Sequence, residues 1–128
     1  YPTSPSGMPG VQTILPIMLN FVNEGKLSLL KLVDLLSSGP ARVYQTIGKG
    51  RIAVGYDADI TLVDMNKNYI LDDKDMATKC GWTPYHGMSI KGKAVYTIIE
   101  GRIVMQEDEL IGIAGGKAVK FISTLKGK

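Results

Sequence analysis

The sequence predicts an α/β chain of 128 residues in which helices come first and strands follow. Three observations support this prediction. Apolar residues between Val11 and Leu36 recur at helical spacing, and from Gly48 onward short runs rich in β-branched residues replace them. Glu100 and Gly101 form a two-residue hairpin signal between two such runs. The change of periodicity indicates two segments of different architecture.

The first predicted helix follows a loop, YPTSPSGMPG, that contains three prolines and two glycines. From Val11 to Val22 the apolar residues lie on one helical face. Pro16 lies inside this run and either kinks the helix or belongs to its true first turn. Gly25 is expected to end the helix, because glycine adopts the left-handed backbone that follows many helix termini.

A second and a short third helix are predicted next. Ser28 is a good N-cap for a helix that continues to Leu36, and apolar residues on two of its faces suggest burial on more than one side. The run Ser37–Gly39 is expected to break this helix. Pro40 can then open a third helix over residues 41–44.

The second half of the chain is predicted to form strands after a glycine-rich link. Residues 48–57 hold three glycines and are interpreted as that link. The strand candidates, in chain order, are residues 59–64, a weaker run at 68–71, then 94–99, 102–105 and 110–113.

The net charge of +3 is concentrated at the carboxyl end of the sequence. The first 116 residues carry eleven basic and twelve acidic groups, a net charge of −1. Nucleic-acid binding requires clustered positive charge on the folded body, so no nucleic-acid partner is expected. The remaining basic groups are interpreted as a solvated tail rather than a binding arm. They are Lys117, Lys120, Lys126 and Lys128.

Hydropathy and cysteine content limit the cellular setting. No apolar run approaches the roughly 18 residues that a membrane helix needs, so no membrane partner is expected. A single cysteine, Cys80, excludes an internal disulfide framework and a Cys-rich zinc site, and it favours a cytoplasmic setting. Because the sequence begins with Tyr1 and shows no signal segment, a processed or truncated product is expected.

The inventory of reactive groups is small. His86 is the only histidine and has no second histidine or acid at metal-ligand spacing, so we expect an ordinary surface residue. Cys80 has no histidine base other than His86, and a small packed thiol is expected. The stretch Trp82–Tyr85 could stack a ligand, although a packed loop corner is favoured.

Neither the acidic clusters nor the glycine-rich link predicts an active site. Paired carboxylates can serve acid–base catalysis, but each cluster flanks a candidate strand, where solvated turn acids are expected. The clusters are Asp57/Asp59, Asp72/Asp73/Asp75 and Glu107/Asp108/Glu109. The run GKGR over residues 48–51 is too short for a phosphate loop. The one loop with unusual backbone chemistry is residues 4–10, with Gly7 and Gly10.

Six stretches stand out along residues 4–121: SPSGMPGVQT, LPIMLNFVNEGKLSL, LVDLLSSGPARVY, GRIAVGYDADITLVD, KCGWTPYHG and IKGKAVYTIIEGRIV. Together they resemble the C-terminal part of the dihydroorotases, which are zinc-dependent cyclic amidohydrolases of pyrimidine synthesis. The G-DAD-TLVD stretch is shared by many amidohydrolases, whereas GWTPY-G is more specific to dihydroorotases. The family more often has Glu where this chain has His86, which argues against a functional role for this histidine.

This resemblance implies a fold: the C-terminal fragment of a (β/α)8 barrel followed by the C-terminal portion of a small β-sandwich. Residues 1–47 would then be the last barrel loop and the C-terminal helices of the catalytic barrel. Residues 48–121 would be the sandwich portion, and residues 122–128 a basic tail. The loop before the first helix would face the catalytic centre, because barrel active sites lie in the loops after the strands.

The resemblance also implies a function, a cofactor and partners. The parent protein would hydrolyse dihydroorotate to N-carbamoyl-aspartate and run the reverse reaction, with zinc held by residues absent from this chain. Ser6 and Gly7 match the position whose main chain contacts the substrate ring; no catalytic or metal-binding residue is expected here, and the chain alone should be inactive. Expected partners are the N-terminal part of the same protein, a second copy in a homodimer, and a transcarbamoylase. The alternatives are another cyclic amidohydrolase, such as an allantoinase or hydantoinase, or a non-catalytic structural homologue.

Overall fold

The computed structural model describes residues 3, 7–112 and 115–122, and helices precede strands along it as the sequence predicts. The elements are α1 (Ile14–Asn23), α2 (Leu29–Val33), a π-helical turn (Asp34–Ser38), α3 (Gly39–Val43), β1 (Ile60–Ile70), a 3-10 turn (Asp73–Asp75), β2 (Ser89–Ile99), β3 (Arg102–Gln106) and β4 (Glu109–Leu110). None of the helices in the described ranges is long and apolar enough to cross a bilayer.

Helix α1 begins at Ile14, three residues after the first apolar residue of its predicted stripe, and it ends where local chemistry predicts. Thr13 is its N-cap, so Pro16 lies in the first turn, where the missing amide N–H of proline costs no hydrogen bond. Gly25 has a φ of +72°, and its N–H donates to the carbonyl of Val22 over 3.0 Å. The interpretation of Pro16 as a first-turn residue and of Gly25 as the stop is therefore confirmed.

The second helical segment is continuous, so the break predicted at Ser37–Gly39 is wrong. Ser28 does cap α2, since its side chain accepts a hydrogen bond from the N–H of Lys31 over 3.1 Å. At the predicted break the chain widens into a π-turn, in which the N–H of Gly39 reaches the carbonyl of Asp34. A Cβ on Gly39 would lie 2.4 Å from that carbonyl oxygen, so glycine permits the turn instead of ending the helix.

Burial of this segment on more than one side is also wrong. Leu32 is buried, with 5% of its surface exposed, but Leu30 is 84% exposed. Leu29, Val33 and Leu35 are exposed as well. Within the described residues the segment therefore buries one narrow stripe and leaves most of its apolar surface uncovered.

The strands form one antiparallel sheet in the order β1-β2-β3-β4. The two short strands predicted at 59–64 and 68–71 are a single strand, because β1 continues across an irregularity between Asp64 and Asn68. Strand β2 begins at Ser89, five residues before the predicted start at Ala94. The predicted last strand is shorter, Glu109–Leu110, and its predicted end at residue 113 lies outside the described residues.

Two tight turns connect the last three strands. Glu100 and Gly101, with φ of 49° and 77°, form the hairpin that the sequence predicts between β2 and β3. A second turn at Glu107 and Asp108, with φ of 47° and 74°, confirms the expectation of turn acids beside the last strands. Both turns lie at the ends of the strands that they connect.

The core lies where α1 packs on β2. Leu19 from the helix and Ile90 from the strand are each only 1% exposed. Leu71, immediately after β1, is buried at 4%. This packing of the first helix against the sheet joins the helical and strand halves of the chain.

Candidate functional site

The loop before α1 is the candidate site that the sequence singles out. Ser6 lies outside the described residues. Gly7 is described: it is exposed, it has a φ of +83°, and a Cβ placed on it would have no atom within 4 Å. The backbone at Gly7 thus adopts a conformation that favours glycine, with no protein atom filling the space beside it.

The end of this loop is anchored on the protein. The carbonyl of Gly10 accepts hydrogen bonds from the N–H groups of Thr13 and Ile14 over 3.2 and 3.0 Å. Gln12 then links the loop to residues after β1: its Nε2 donates to the carbonyl of Asp75, and its Oε1 accepts from the N–H of Ala77, both over 2.8 Å. Paired amide contacts of this kind restrict where the loop can go.

The segment that Gln12 contacts is itself ordered by a hydrogen-bonded turn. Asp73 Oδ1 accepts from the N–H of Thr83 over 2.7 Å, and Thr83 is buried. The N–H of Asp73 donates to His86 Nδ1 over 3.2 Å. These bonds and the burial of Thr83 hold the stretch as a loop corner. Trp82, beside it, is 43% exposed.

The structure confirms the prediction for His86 and contradicts the prediction for Cys80. The His86 side chain is 58% exposed, which confirms the predicted surface residue. The predicted packed thiol at Cys80 is wrong, because this cysteine is exposed. The N–H of Gly81 bonds to the carbonyl of Thr78 over 3.1 Å, and this tight turn directs the residues between them to the surface.

The acidic clusters are engaged in ion pairs and turns rather than arranged for catalysis. The amide and ammonium groups of Lys74 hold the pKa of Asp72 below its ordinary value. The ammonium of Lys49 lowers the pKa of Asp59 likewise, aided by the N–H of Glu100. These carboxylates are stabilised in their charged form, as solvated turn acids would be.

The described residues do not fit a catalytic metal. No three His, Cys, Asp or Glu side chains within the described ranges lie together as a metal site would require. His86 Nδ1, the nitrogen that would be a ligand atom, already accepts the N–H of Asp73. The zinc that the resemblance implies therefore has no ligand set in this part of the chain.

Sequence reasoning missed three amides that position α1 and its preceding loop. Gln12 contacts the 75–77 segment, as described above. Asn20 Oδ1 accepts the N–H of Lys91 over 3.0 Å, and Asn23 Nδ2 donates to the carbonyl of Lys91 over 2.8 Å. A signal for two of them was available in the sequence, because Asn20 and Asn23 lie close to the apolar stripe of the first predicted helix.

Comparisons with known proteins agree on one family. Residues 10–104 match the model described as the amidohydrolase family. A dihydroorotase from Pyrococcus furiosus is 40% identical over 114 residues, covering 89% of this chain and 27% of that protein. A dihydroorotase from Methanothermobacter thermautotrophicus is 35% identical over 108 residues, covering 84% and 25%.

The similarity extends to a solved structure. The L-hydantoinase (dihydropyrimidinase) from Arthrobacter aurescens superposes with a TM-score of 0.80 at 32% sequence identity. The match covers 85% of this chain and 25% of the hydantoinase. The chain thus spans about a quarter of the length of the relatives it matches.

Proposed function

The chain belongs to the amidohydrolase family, and on that premise we propose that its parent protein is a dihydroorotase. The parent would hydrolyse the cyclic amide of dihydroorotate to N-carbamoyl-aspartate and catalyse the reverse reaction in pyrimidine synthesis. The observation that carries this proposal is the match to dihydroorotases over 114 residues at 40% identity. A cytoplasmic setting, expected from the single cysteine, belongs to the same proposal.

In this proposal the chain forms a wall of the substrate pocket and a supporting domain. Residues 1–47 would be the last barrel loop and C-terminal helices, residues 48–121 the sandwich portion, and residues 122–128 a tail. The zinc of the parent would be held by residues outside this chain. The N-terminal part of the same protein, a second copy and a transcarbamoylase are the proposed partners.

The specific role proposed here is substrate contact by the main chain of Ser6 and Gly7. Two observations support it. Gly7 is exposed and has open space where a Cβ would lie, so a planar ring could approach its backbone closely. Gln12 and the capped start of α1 hold the end of the loop in place, and a positioned main chain can orient a ligand without reorganising.

Another cyclic amidohydrolase remains the second candidate, favoured by one observation. The structure of a hydantoinase, which acts on a different cyclic amide, also superposes closely on this chain. Backbone geometry therefore does not by itself identify the substrate. Activity of the full-length protein on dihydroorotate, on hydantoin and on dihydrouracil separates these functions. Turnover of dihydroorotate alone supports the proposal, and turnover of hydantoin alone replaces it. The absence of any turnover by metal-loaded protein supports a structural homologue instead.

The role of the loop is tested by two substitutions in the full-length protein. We expect Ser6→Ala to keep kcat/KM within a few-fold, because its main chain is unchanged. Gly7→Val should lower kcat/KM per folded active site by more than the roughly 2- to 13-fold that one neutral hydrogen bond is worth, because a branched side chain blocks close approach. Gly10→Val, in the same loop, is the matched control. Wild-type kinetics for Gly7→Val would refute the substrate role.

The isolated 128-residue chain offers an independent test. We expect it neither to bind stoichiometric zinc nor to hydrolyse dihydroorotate, since a catalytic zinc site needs about three protein ligands. Elemental analysis and an activity assay on the purified chain check this. Stoichiometric zinc together with turnover would show that the chain contains its own catalytic centre.

A further inference from the structure

Gln12 is the residue through which the loop before α1 contacts a distant part of the chain. Its side-chain amide makes two hydrogen bonds to the segment after β1: Nε2 donates to the carbonyl of Asp75 and Oε1 accepts from the N–H of Ala77, both over 2.8 Å. Among the described residues, no other hydrogen bond joins residues 7–12 to a segment distant in the sequence. A planar amide that is bonded through both its oxygen and its nitrogen is fixed in direction as well as in distance.

On the loop side, Gln12 adjoins the fixed start of α1. Thr13, the next residue, is only 1% exposed, and its N–H and its hydroxyl both donate to the carbonyl of Gly10, over 3.2 and 3.3 Å. Gly10 is therefore held close to Gln12. Pro9 then restricts the backbone of the short stretch that leads back from Gly10 to Gly7, because its ring fixes one of the two soft backbone dihedrals.

The segment on the other side of this contact belongs to the loop corner, residues 72–86, whose two ends meet at the core. Leu71, immediately before the corner, is 4% exposed, and its carbonyl accepts the N–H of Gly87, immediately after the corner, over 2.8 Å. Across the corner, Asp73 Oδ1 accepts the N–H of Thr83, which is itself buried. The corner is thus held at its ends and across its middle, so it can support the loop that contacts it.

We infer that Gln12 is a positioning residue for substrate binding, which holds the main chain of the loop at Gly7 against the loop corner. This inference rests on the proposed function, because it starts from the proposed contact between that main chain and the substrate ring. It adds the loop corner to the elements that determine substrate affinity. Gln12 acts through the loop and not on the substrate: a loop that is already held in place loses less conformational freedom when a ligand binds.

The expected kinetic signature of this role is a higher KM with a nearly unchanged kcat. A loop that is free before binding must be ordered by the substrate, which weakens the binding of the ground state and of the transition state equally, and such a loss appears in KM. Two neutral hydrogen bonds together correspond to roughly 5- to 150-fold in an equilibrium constant. Gln12 is exposed, so water replaces part of what is lost, and we expect the lower end of this range.

The experiment is steady-state kinetics of the metal-loaded full-length protein on dihydroorotate. In Gln12→Met the side chain keeps its length but makes neither hydrogen bond, so KM should rise about 5-fold while kcat stays within about 2-fold. Asn23→Ala is the matched control, because Asn23 bonds the opposite end of the same helix to the strands. It should lose stability but keep the wild-type KM. Without substrate, hydrogen exchange of the amides in residues 7–11 should be faster in Gln12→Met than in this control.

A double-mutant cycle tests whether the effect passes through the loop corner. Asp73→Ala removes the acceptor for the N–H of Thr83 and should raise KM about 2-fold or more by itself, because the corner then supports the loop less well. Asp73→Asn removes the charge but keeps an acceptor, so it should leave KM near the wild-type value. Combined with Gln12→Met, Asp73→Ala should raise KM little further, since the loop is no longer bonded to the corner.

The outcomes separate this inference from the proposed function. A raised KM in Gln12→Met, with the wild-type KM in Asn23→Ala and non-additivity in the cycle, supports the inference. An unchanged KM in Gln12→Met, an equal rise in Asn23→Ala, or full additivity overturns it, while wild-type turnover of dihydroorotate leaves the proposed function standing. If the wild type turns over another cyclic amide instead, the proposed function is replaced and the same comparison is made on that substrate. A wild type without turnover of any cyclic amide overturns both. Thermal unfolding verifies that each variant is folded.

Discussion

The junction of α1 with the sheet and the helical segment of residues 29–44 differ in how they use apolar residues. At the junction, Leu19 is buried against β2, and Gly92 leaves the space that it occupies. In the helical segment, Leu30 and Val43 are 84% and 75% exposed. Both regions have helical apolar spacing in the sequence. The first is covered by β2, whereas the second buries only a narrow stripe around Leu32 within the described residues.

The difference shows what a periodic apolar stripe can and cannot predict. Spacing predicts a helix, but the burial of its face depends on a complementary surface elsewhere. At the junction that surface includes polar partners as well, since Asn23 Nδ2 also donates to the carbonyl of Met65 over 3.1 Å. For the second segment, no such surface covers the outer face within the described residues, and the N-terminal part proposed for the parent protein would be its cover.

The largest effect is expected at the closest contact of the junction. In Gly92→Ala, the new Cβ would lie 2.8 Å from Cβ of Leu19, at a φ of +110°. Backbone strain of about 1–2 kcal/mol and overpacking of about 1–3 kcal/mol should together lower the free energy of unfolding by about 2–5 kcal/mol. Gly81→Ala is the control, since Gly81 has a φ of +67° but open space around it. Equal losses in urea denaturation would show that the contact is unimportant.

The next effect concerns the amide that ties α1 to two strands. Asn23→Ala removes donors to the carbonyls of Leu19, Met65 and Lys91. We expect a loss of about 1–3 kcal/mol in the free energy of unfolding, because carbonyls at the junction lose their partner. Asn68→Ala, which removes a local bond to the carbonyl of Asn66, is the control and should cost less. A smaller loss for Asn23→Ala than for the control would contradict the role of this amide.

A third prediction uses pH to test the ion pair that ties the link to the sheet. The pKa of Asp59 is lowered by Lys49 and by the N–H of Glu100. Its contribution to stability is therefore complete above the ordinary aspartate pKa of about 3.9 and is lost as the pH falls through the lower folded-state value. The pKa of Lys49 is raised, first by Asp59, so its contribution is lost only as the pH rises through that raised value.

Asp59→Asn tests the pair directly. We expect a loss of about 1 kcal/mol or less at neutral pH, since the pair is partly solvated, and a shallower decline of stability in acid than in the wild type. Thermal unfolding from pH 2 to pH 7 measures both. Glu109→Gln is the control, because Glu109 forms no ion pair with any described residue. An unchanged acid profile in Asp59→Asn would exclude this coupling.

The smallest effect on stability, with a large effect on association, is expected in the exposed helical segment. Leu30→Ser and Val43→Ser should change the free energy of unfolding by less than about 0.5 kcal/mol. The isolated chain should self-associate through its uncovered apolar surface, and these variants should shift it toward monomer. Sedimentation velocity of the wild type, the variants and the control Lys31→Ser checks this. A wild-type chain that stays monomeric at high concentration would show that this exposed apolar face does not drive self-association.

Much of the secondary structure was predictable because its causes are local. Ser28 caps α2 by accepting the N–H of the residue three positions later, and Gly25 ends α1 by donating its N–H to the carbonyl of Val22. The Glu100-Gly101 turn needs only two residues with positive φ. Strand β2 was predicted too short because Gly92 hides its alternation: the buried positions Ile90 and Gly92 do not look like an apolar stripe.

The candidate site was predictable only in outline. Gly7 in a special loop follows from its composition, but the anchoring of that loop by Gln12 joins residues 63 positions apart in the sequence. No local pattern records which distant groups will share a hydrogen bond.

The sequence by itself determined where α2 begins, where α1 ends, the main hairpin turn and the family, because those depend on neighbours a few residues away and on stretches matched in order. The tertiary structure alone decided which apolar faces are buried, that Ser37–Gly39 continues as a π-turn, and that Gln12 anchors the loop before α1 to residues 75–77. These features depend on whether a surface finds a complementary partner. That is a property of long-range packing, which residue spacing along one element does not contain.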